Sequence, residues 1–446
     1  MTATAAALEI RALSAGEKPA VFAGVARLLA DAYPIMRVLT ADDLTKMADR
    51  IADGVTHPDT SWVVAQRDGA PVGAMRLYDY RMNVRGRDAL SGGVGSVAVS
   101  RAHKRQGIAR AMIGWYLDAY RRRGAPFAVL HPFRLDFYRA LGFGYGTPVR
   151  RYRLRPAALR DDGARGTARL LGETDADALL ACYERVRSTT HGLIAKHRIP
   201  AERALADPAL RHVGVEDGGE LRAFMQTSAL VGGLTVGGDE LRNRDELVVR
   251  DLAYEDESYL AALLGHLRAQ QDQFARIAFE VQDEAFYLAA TDPRDGSDLA
   301  VAPPASHRVA ETGLGIMYRI LDVQAALAHL PSSPIPFTLK LDVTDAFLPD
   351  TNGAWTVYFG PHGAPRSAAV PGGPPRDGAA QSDGTSAQPD ATLSIGIADL
   401  SSVVMGSLRL RDVVRHRLAT LEPRAKLDLV DAAFRADHPP ICTTRF

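Results

Sequence analysis

Alternating apolar and polar positions predict a mixed α/β unit in the first third of the chain. Two strand-like runs flank Asp68-Gly69 in "SWVVAQRDGAPVGAM", which is the pattern of a β-hairpin. The run "GGVGSVAV" predicts the next strand, and helical periodicity follows from about Gly107 to Arg122. The predicted apolar face of this helix consists of Ile108, Met112, Trp115 and Ala119. A buried strand, one or two helical turns and a final strand are predicted in "PFAVLH", "RLDFYRAL" and "GYGTPVRRYRLRP".

The following stretch repeats this pattern weakly. "HVGVEDGGELRAFM" has the same hairpin pattern as "VVAQRDGAPVGAM", and Asp217 follows Asp68 by 149 positions. The same offset relates Ala74 to Ala223, Val99 to Val248, and Phe137-Tyr138 to Phe286-Tyr287. Because these matches keep the order of the elements, they indicate an internal duplication. The offset also relates Gly107 to Asp256 in the acidic segment "DLAYEDESYL", so the second unit is predicted to repel an anion that the first would bind.

A third α/β unit is predicted in the rest of the chain. It begins with "GLGIMYRILDVQAALAHL", which has a helical pattern, and continues through the strand-like runs "PFTLKLDVTDAF", "GAWTVYFGP" and "ATLSIGIADLSSVVMG". Helical periodicity returns in "LRDVVRHRLATLEPRAKLDLVDAAF". A segment at about 363–391 is rich in Gly, Pro, Ser and Ala, and is therefore predicted to be a flexible insertion.

Composition limits the classes of partner. The 446 residues carry 53 basic and 53 acidic side chains, and this balance argues against nucleic acid as an electrostatic partner. No apolar run reaches membrane-spanning length and the N-terminus has no signal-peptide pattern, so we expect no membrane partner. The two cysteines, Cys182 and Cys442, have neither metal-ligand spacing nor a disulfide framework. They predict no metal site and fit a cytoplasmic location.

A basic loop joins the strand and helix within "SVAVSRAHKRQGIARAMIGWYL". The first N–H groups of a helix have no partners within the helix, and together with the helix dipole they attract an anion. Gly107 leaves room for a ligand against the backbone, while Lys104, Arg105 and Arg110 add positive charge. The predicted ligand is a phosphate or diphosphate. Taken alone, a solvated basic face at a helix start explains the same residues.

Two motifs make this loop more specific. "VAVSRAHKRQGIARAM" resembles the acetyl-CoA motif of GNAT N-acetyltransferases, Arg/Gln-x-x-Gly-x-Gly/Ala, with a lysine at its first position. About thirty residues later, "FYRALGFGYG" resembles the second landmark of that family, a Phe-Tyr pair followed by Gly-Phe. The resemblance implies an N-acetyltransferase that uses acetyl-CoA as co-substrate.

The chain as a whole resembles the Eis (enhanced intracellular survival) family of GNAT enzymes. The likeness rests on "VLHPFRLDFYRALGFGYGTP", the degenerate second unit, the third unit and the terminal Phe446. It implies an α/β fold with mixed sheets, in which tandem GNAT-like domains are followed by a domain resembling sterol carrier proteins. The expected domain bounds are 1–153, 154–305 and 306–446. The resemblance also implies assembly into hexamers.

The resemblance assigns cofactor-binding residues. Val97, Ala98 and Val99 lie on a strand that splays from its neighbour in this superfamily, which frees backbone groups to pair with pantetheine. Phe133 and Arg134 match positions that touch the cofactor. The expected diphosphate cradle consists of Lys104, Arg105, Gln106, Gly107, Ile108, Ala109 and Arg110.

Tyr138 is the predicted general acid. Amine attack on a thioester expels a thiolate, and a thiol pKa of about 8.5 against a phenol pKa of about 10 makes proton transfer from tyrosine feasible. The resemblance gives Tyr138 this role, whereas the alternative is a core tyrosine packed beside Phe137. Tyr145 and His131 lie nearby, and we expect both to be structural.

The resemblance also implies that the α-carboxylate of Phe446 acts as general base. A carboxylate pKa of about 3.3–3.7, against about 10.4 for an alkylammonium, favours anchoring the amine or relaying its proton in a desolvated site. The alternative is a frayed terminus. The apolar tail, which opens with Pro439-Pro440, favours a directed terminus.

The predicted acceptor is a primary amine of the aminoglycoside, polyamine or lysine type, acetylated by direct attack in a ternary complex. Family members that accept aminoglycosides have an acidic penultimate residue, whereas Arg445 stands here and would repel a polycation. Acids such as Asp42 or Asp43 are possible compensation. Two alternatives stay open: a protein-lysine acetyltransferase, and a non-catalytic acyl-CoA or lipid sensor.

Overall fold

The computed structural model describes residues 7–33, 40–231, 235–236, 239–240, 245–295, 300–302, 306–370 and 388–445. These residues divide into two compact units. The first unit combines residues up to Gly146 with Ile316–Pro439 and Arg445. The second unit combines Thr147–Gly315 with Pro440–Thr444. No helix in the described ranges has both the length and the apolarity that a bilayer span requires.

The elements up to Gly146 follow the predicted order from Thr60 onward, and the chain begins with a strand that was not predicted. They are β1 (Glu9–Ala12), α1 (Pro19–Ala32), α2 (Ala41–Val55), β2 (Thr60–Arg67), β3 (Ala70–Val84), β4 (Arg87–Val99), α3 (Ile108–Arg122), β5 (Phe127–Leu130), α4 (Leu135–Arg139) and β6 (Gly144–Tyr145). The predicted hairpin is β2–β3, and its two-residue turn holds Asp68 at φ 48° and Gly69 at φ 75°. Two positive φ values in succession give the tight turn that suits twisted strands.

The buried face of α3 is rotated from the predicted one. Ile108 and Met112 are buried as expected, but Trp115 and Ala119 are only half-buried. The remaining buried positions of this helix are Ile113, Tyr116, Leu117 and Tyr120. These side chains pack on one face of the sheet, while α1 and α2 cover the other face through residues such as Val25 and Ile51. Each large apolar side chain buried in this way contributes about 1.5–3 kcal/mol.

The second unit contains a further set of strands and helices. They are β7 (Pro148–Leu154), β8 (Thr167–Leu171), α5 (Ala176–Thr189), α6 (Arg198–Ala206), β9 (Arg211–Asp217), β10 (Glu220–Val231), β11 (Thr235–Val236), β12 (Asp239–Glu240), β13 (Asp245–Tyr254), α7 (Glu257–Arg268), β14 (Arg276–Val281), β15 (Ala300–Ala302), β16 (Ser306–His307) and β17 (Ala310–Leu314).

The C-terminal part of the first unit is built around a third sheet. Its elements are β18 (Met317–Ile320), α8 (Val323–Leu327), β19 (Phe337–Thr344), β20 (Gly353–Phe359), β21 (Arg366–Ala369), β22 (Ala391–Gly396), α9 (Ile397–Met405), α10 (Leu410–Arg415), β23 (Ala419–Glu422) and α11 (Leu427–Phe434). The sheet has the order β21-β20-β19-β22-β23, and within it only β19 and β22 run parallel.

Sheet order confirms the tandem GNAT-like folds. The first sheet runs β1-β2-β3-β4-β5-β18-β6, and the second runs β8-β9-β10-β13-β14-β7-β17. In both sheets the fourth and fifth strands are parallel, as β4–β5 and β13–β14 show. In both sheets the sixth strand comes from a distant part of the chain and pairs antiparallel with the fifth.

These sixth strands correct the sequence analysis. The run that continues to Leu154 was predicted to be the last strand of the first fold, but β7 pairs with β14 and β17 in the second sheet. Met317–Ile320 was predicted to be helical, but it is β18, inserted between β5 and β6. Local periodicity does not show a partner strand that is more than a hundred residues away.

The C-terminal pattern also needs correction. The last predicted strand of the third unit is β22 followed by helix α9, and the long helical pattern after it contains strand β23. Arg366–Ala369, at the start of the predicted flexible insertion, is a strand that pairs with β20. Residues 371–387 of that insertion lie outside the described residues.

Candidate functional site

Strand β4 continues past the point where its pairing with β5 ends. Its parallel pairing with β5 runs only from Ser91 to Val94, although β4 continues to Val99. On the other side, a bulge interrupts the pairing with β3 and holds Ser96 at φ 52°. The residues Val97, Ala98 and Val99 therefore form a splayed strand end, whose β5 side is not paired within the described sheet. A splayed end of this kind fits the backbone pairing expected with pantetheine.

Tyr33 reaches the splayed end from another element. Its hydroxyl, at the C-terminal end of α1, donates a hydrogen bond of 2.9 Å to the carbonyl oxygen of Val97. Burial raises the pKa of the Tyr33 phenol, with a smaller contribution from Tyr78. Sequence analysis missed Tyr33 because no motif marks it, and the contact spans 64 positions.

The loop after β4 turns sharply into α3. Arg105 at φ 62° and Gly107 at φ 77° both have left-handed backbone conformations, and Gly107 is the N-cap residue of α3. The carbonyl of Gly107 accepts from the Ala111 amide at 2.9 Å, which closes the first turn. A Cβ atom built on Gly107 meets no other atom within 4 Å. Glycine thus serves the backbone conformation here, and the space beside the helix start is open.

The predicted cradle residues differ in their surroundings. Lys104, Arg105 and Gln106 are exposed, and the Gln106 side chain accepts a hydrogen bond from Arg67. Ile108 is 1% exposed and packs in the core, so only its backbone faces the helix start. Ala109 is half-buried. The guanidinium of Arg110 lies 4.5 Å from the ring centroid of Phe347, a residue of the C-terminal part.

Tyr138 lies in an aromatic cluster on α4. Its side chain is 2% exposed, and its ring makes edge-to-face contacts with Phe133, Phe137 and Phe143 at centroid distances of 5.7, 5.0 and 5.9 Å. Burial, and secondarily the charge of Tyr33, raise the pKa of the Tyr138 phenol well above its usual range. No described residue hydrogen-bonds to this hydroxyl. The phenol therefore stays protonated, and its O–H group donates no hydrogen bond to a described residue.

The other residues of this region are placed as follows. Phe133 is 65% exposed and extends the aromatic cluster to the surface. Arg134 is exposed and forms a two-point ion pair with Asp136. His131 is exposed just after β5. The ring of Tyr145 lies under Arg139 at 4.8 Å, and its carbonyl accepts from the hydroxyls of two serines of the C-terminal part, Ser402 and Ser407.

The chain's tail is anchored within the second unit. The Thr147 hydroxyl donates to the carbonyl of Pro440 at 2.6 Å, and the amide of Ile441 donates to the carbonyl of His191 at 2.8 Å. The amide of Cys442 donates to the side-chain oxygen of Gln282 at 2.5 Å. Residues 440–442 are thus held by three hydrogen bonds. Phe446 itself lies outside the described residues.

The acids considered as compensation for Arg445 serve their own helix. The Asp43 carboxylate and the Thr40 hydroxyl form a capping box at the start of α2. Asp42 pairs with Lys46 one turn later at 2.6 Å. Arg445 is exposed.

The second fold has a different helix start. Asp256 is the N-cap of α7, and its carboxylate accepts from the amide of Ser258 at 2.9 Å. A carboxylate therefore stands where the first fold has the open Gly107. The counterpart of Tyr138, Tyr287, is 42% exposed and has no comparable aromatic enclosure among the described residues.

Comparison with known proteins agrees with this geometry. The family profile of the acetyltransferase (GNAT) domain matches residues 10–146, and the profile of the sterol carrier protein domain matches residues 323–443. An uncharacterized N-acetyltransferase of Streptomyces coelicolor is 29% identical over 382 residues, which cover 80% of this chain and 82% of the relative. The chain therefore contains a GNAT acetyltransferase domain and a sterol carrier protein domain.

Solved structures extend the likeness in fold to the whole chain. Eis1 of Mycobacterium abscessus has a TM-score of 0.72 at 20% identity, covering 99% of this chain and 100% of that one. A GCN5-related N-acetyltransferase of Kribbella flavida has a TM-score of 0.72 at 19% identity, with 99% of both chains covered. The expected Eis-like architecture is therefore confirmed at the level of the fold. A GNAT domain also implies the use of acetyl-CoA.

Proposed function

We propose that this protein transfers the acetyl group of acetyl-CoA to a primary amine by direct attack in a ternary complex, with Tyr138 as general acid. The observation that carries the proposal is the Tyr138 phenol itself. It is buried, keeps its proton because burial raises its pKa, and has no hydrogen-bond partner among the described residues. The ring is enclosed, while the unpaired hydroxyl keeps a small exposed surface through which a substrate can reach it.

The chemical step balances without a covalent enzyme intermediate. The amine nitrogen attacks the thioester carbonyl, a C–N bond forms and the C–S bond breaks. The thiolate leaves with the electron pair and takes the proton of Tyr138. The amine nitrogen loses one proton to solvent, and a proton from solvent restores the Tyr138 phenol. Burial raises the pKa of a thiolate as it does that of a phenolate, so the two groups stay matched in the same apolar surroundings.

The cofactor-binding assignment follows the geometry of β4 and α3. The splayed end at Val97, Ala98 and Val99 supplies backbone partners for pantetheine. The open helix start at Gly107, with Lys104 and Arg105 beside it, suits a diphosphate because unpaired amides and basic side chains both favour an anion. Exposed Phe133 and Arg134, which directly precede α4, are proposed to contact the cofactor.

The Phe446 carboxylate is proposed to receive the amine. The anchoring of residues 440–442 supports a directed terminus. A carboxylate stabilises an ammonium far better than it deprotonates one, so we assign Phe446 the binding of the amine and the relay of its proton. The hexamer stays a prediction of the family resemblance, and the cytoplasmic location stays a prediction from the cysteine content.

A thiol-release assay tests the proposal. Purified protein is mixed with acetyl-CoA and a panel of aminoglycosides, polyamines and lysine peptides, and products are mapped by mass spectrometry. We expect Tyr138→Phe to lower kcat by about 10²–10⁴-fold, with acetyl-CoA affinity unchanged. Tyr145→Phe is the matched control, since only the ring and carbonyl of Tyr145 make the contacts described above.

A second variant probes the terminus. Extension of the chain beyond Phe446 by three glycines moves the carboxylate and is expected to lower kcat/KM for the amine while acetyl-CoA binding persists. Turnover confined to lysine peptides would favour the protein-acetyltransferase alternative. Saturable acyl-CoA binding without turnover across the panel would favour the sensor, and would overturn the proposed reaction.

A further inference from the structure

A buried arginine links the C-terminal part to the turn that carries Tyr138. Arg319 lies on β18 and is 0% exposed. Its guanidinium donates to the carbonyl of Leu141 and to the carboxylate of Asp345. Leu141 belongs to the same turn as Tyr138, because the amides of Leu141 and Phe143 both donate to the Tyr138 carbonyl, at 3.0 and 3.1 Å.

This turn is shaped around the arginine. Gly142 follows Leu141 with φ 83°, a conformation that favours glycine. A Cβ atom at Gly142 would lie 1.4 Å from the Nη1 atom of Arg319. Glycine is therefore required both for the backbone of the turn and for the space that the guanidinium occupies.

Asp345 holds the other side of the guanidinium. Its carboxylate accepts from the amides of Phe347 and Leu348, at 2.9 and 3.0 Å, and from the hydroxyl of Thr351. These bonds fix the segment 345–351, which we call the Asp345 loop. A carboxylate with this many donors, buried to 1% exposure, is a rigid anchor.

The same loop contacts helix α3. The ring of Phe347 lies 4.5 Å from the guanidinium carbon of Arg110 and 5.9 Å from that of Arg319. It also packs over Gly114, where a Cβ atom would lie 3.5 Å from its tip. One loop of the C-terminal part thus contacts the first turns of α3 and, through Arg319, the turn after α4.

We propose that Arg319 and Phe347, held by the Asp345 loop, are positioning residues of the acetyl-transfer site: Arg319 fixes the turn that carries Tyr138, and Phe347 fixes Arg110 at the start of α3. This inference rests on the proposed role of Tyr138. A fully buried ion pair gains little net stability over apolar side chains, so its value here is a fixed geometry. Small displacements of a catalytic group cost as much as two orders of magnitude in rate.

The test is a double-variant comparison. Arg319→Lys keeps the charge opposite Asp345 but cannot donate to Asp345 and the Leu141 carbonyl in the same planar geometry. We expect kcat to fall by about 10-fold with KM for acetyl-CoA unchanged, and no further fall when Arg319→Lys is added to Tyr138→Phe. Arg409→Lys, at a partly buried pair with Asp431 elsewhere in the same unit, is the control and should leave kcat unchanged.

Phe347 gives an independent test that leaves the buried pair intact. Phe347→Leu removes the aromatic face under Arg110, and we expect acetyl-CoA affinity to fall by about 3–10-fold, whereas Phe347→Tyr should bind normally. Equal acetyl-CoA affinities in Phe347→Leu and Phe347→Tyr would contradict the role proposed for Phe347.

The outcomes separate the two proposals. If Arg319→Lys lowers kcat by the same factor with Tyr138 and with Tyr138→Phe, Arg319 does not act through Tyr138, and the positioning role is wrong. If Tyr138→Phe alone leaves kcat unchanged, Tyr138 is not the general acid, and that part of the proposed function is wrong.

Discussion

Gly107 and Asp256 are the N-cap residues of α3 and α7 in two folds with similar sheet order, and they give the two helix starts opposite electrostatic character. Gly107 leaves the first amides of α3 open, with no side chain at the cap. Asp256 places a carboxylate at the first amides of α7 and satisfies one of them internally. Both folds therefore have a helix at this place, but only the start of α3 suits an anionic ligand.

Gly107→Asp should abolish this difference. A carboxylate at the cap of α3 repels a diphosphate and competes for the same amides, so we expect acetyl-CoA affinity to fall by roughly 100-fold, the equivalent of one or two charge-assisted hydrogen bonds. Isothermal titration calorimetry gives the affinity and the stoichiometry, which should be one acetyl-CoA per chain in the unmodified protein.

Gly107→Asn is the matched control for this substitution. Asparagine has the same size as aspartate and also tolerates the left-handed conformation, but it carries no charge. It should bind acetyl-CoA much more tightly than the aspartate variant. Equal losses in both variants, or two bound acetyl-CoA per chain, would contradict the electrostatic explanation.

Buried tyrosines should limit stability on the alkaline side. Burial raises the pKa of Tyr116, Tyr120, Tyr138 and Tyr183 above the ordinary value of about 10. Above about pH 10 the unfolded chain therefore releases protons that the folded chain retains, and the free energy of unfolding falls as pH rises. Below that pH these groups are protonated in both states and their contribution is constant.

The measurement is thermal unfolding across pH 7 to 11, with tyrosinate formation followed by ultraviolet absorbance. We expect Tm to be little affected by these groups up to about pH 10 and to fall beyond it, with tyrosinate appearing together with unfolding. Tyrosinate from all four buried residues in a still-folded protein would contradict the prediction.

The first fold was predictable because its signals are local. Asp68-Gly69 marks the β2–β3 turn by the conformations these residues tolerate, and Gly107 marks the start of α3. The Phe-Tyr pair before Gly142 marks a helix end followed by a left-handed turn. Each of these features is determined by residues within a few positions, and sequence patterns report such features well.

The rest depends on partners that are distant in the sequence. Strand β18 has a short apolar run that suits a helix as well as a strand, and its pairing with β5 decides the outcome. Tyr33 bonds to Val97 across 64 positions, and Arg319 meets Leu141 across 178. Patterns within one segment carry no record of such contacts, so the residues that position the site were found only from the structure.

Arg85 should stabilise the docking of the C-terminal part on the first fold. It lies in the β3–β4 turn and donates to the carbonyls of Val404, Phe434 and Arg435 at 2.9, 2.8 and 2.8 Å. Arg85→Met leaves these acceptors without their charged donor, and we expect the free energy of unfolding to fall by roughly 3 kcal/mol. Urea unfolding of the full chain provides the measurement.

Arg87 supplies the comparison within the same turn. It is exposed and donates to a single carbonyl, that of Ala328, at 2.7 Å. Arg87→Met should cost less than about 1 kcal/mol. A loss for Arg87→Met as large as that for Arg85→Met would show that charge, not the three bonds, determines the effect.

Gln282 should control the order of the chain's tail. Its side chain is 9% exposed, accepts from the Cys442 amide at 2.5 Å and donates to the Thr147 carbonyl at 3.1 Å. Gln282→Leu removes both bonds and leaves a buried amide and a buried carbonyl unpaired, which costs about 1–3 kcal/mol. We expect faster hydrogen exchange at Cys442. Because the proposed amine-binding carboxylate ends this tail, we also expect a lower kcat/KM for the amine, with acetyl-CoA affinity unchanged.

Gln282→Glu is the control. It keeps the acceptor for Cys442 and loses only the donor to Thr147, so it should preserve slow exchange at Cys442. If Gln282→Leu shows fast hydrogen exchange at Cys442 but an unchanged kcat/KM for the amine, the order of the tail does not affect catalysis. That result would count against the proposed role of Phe446.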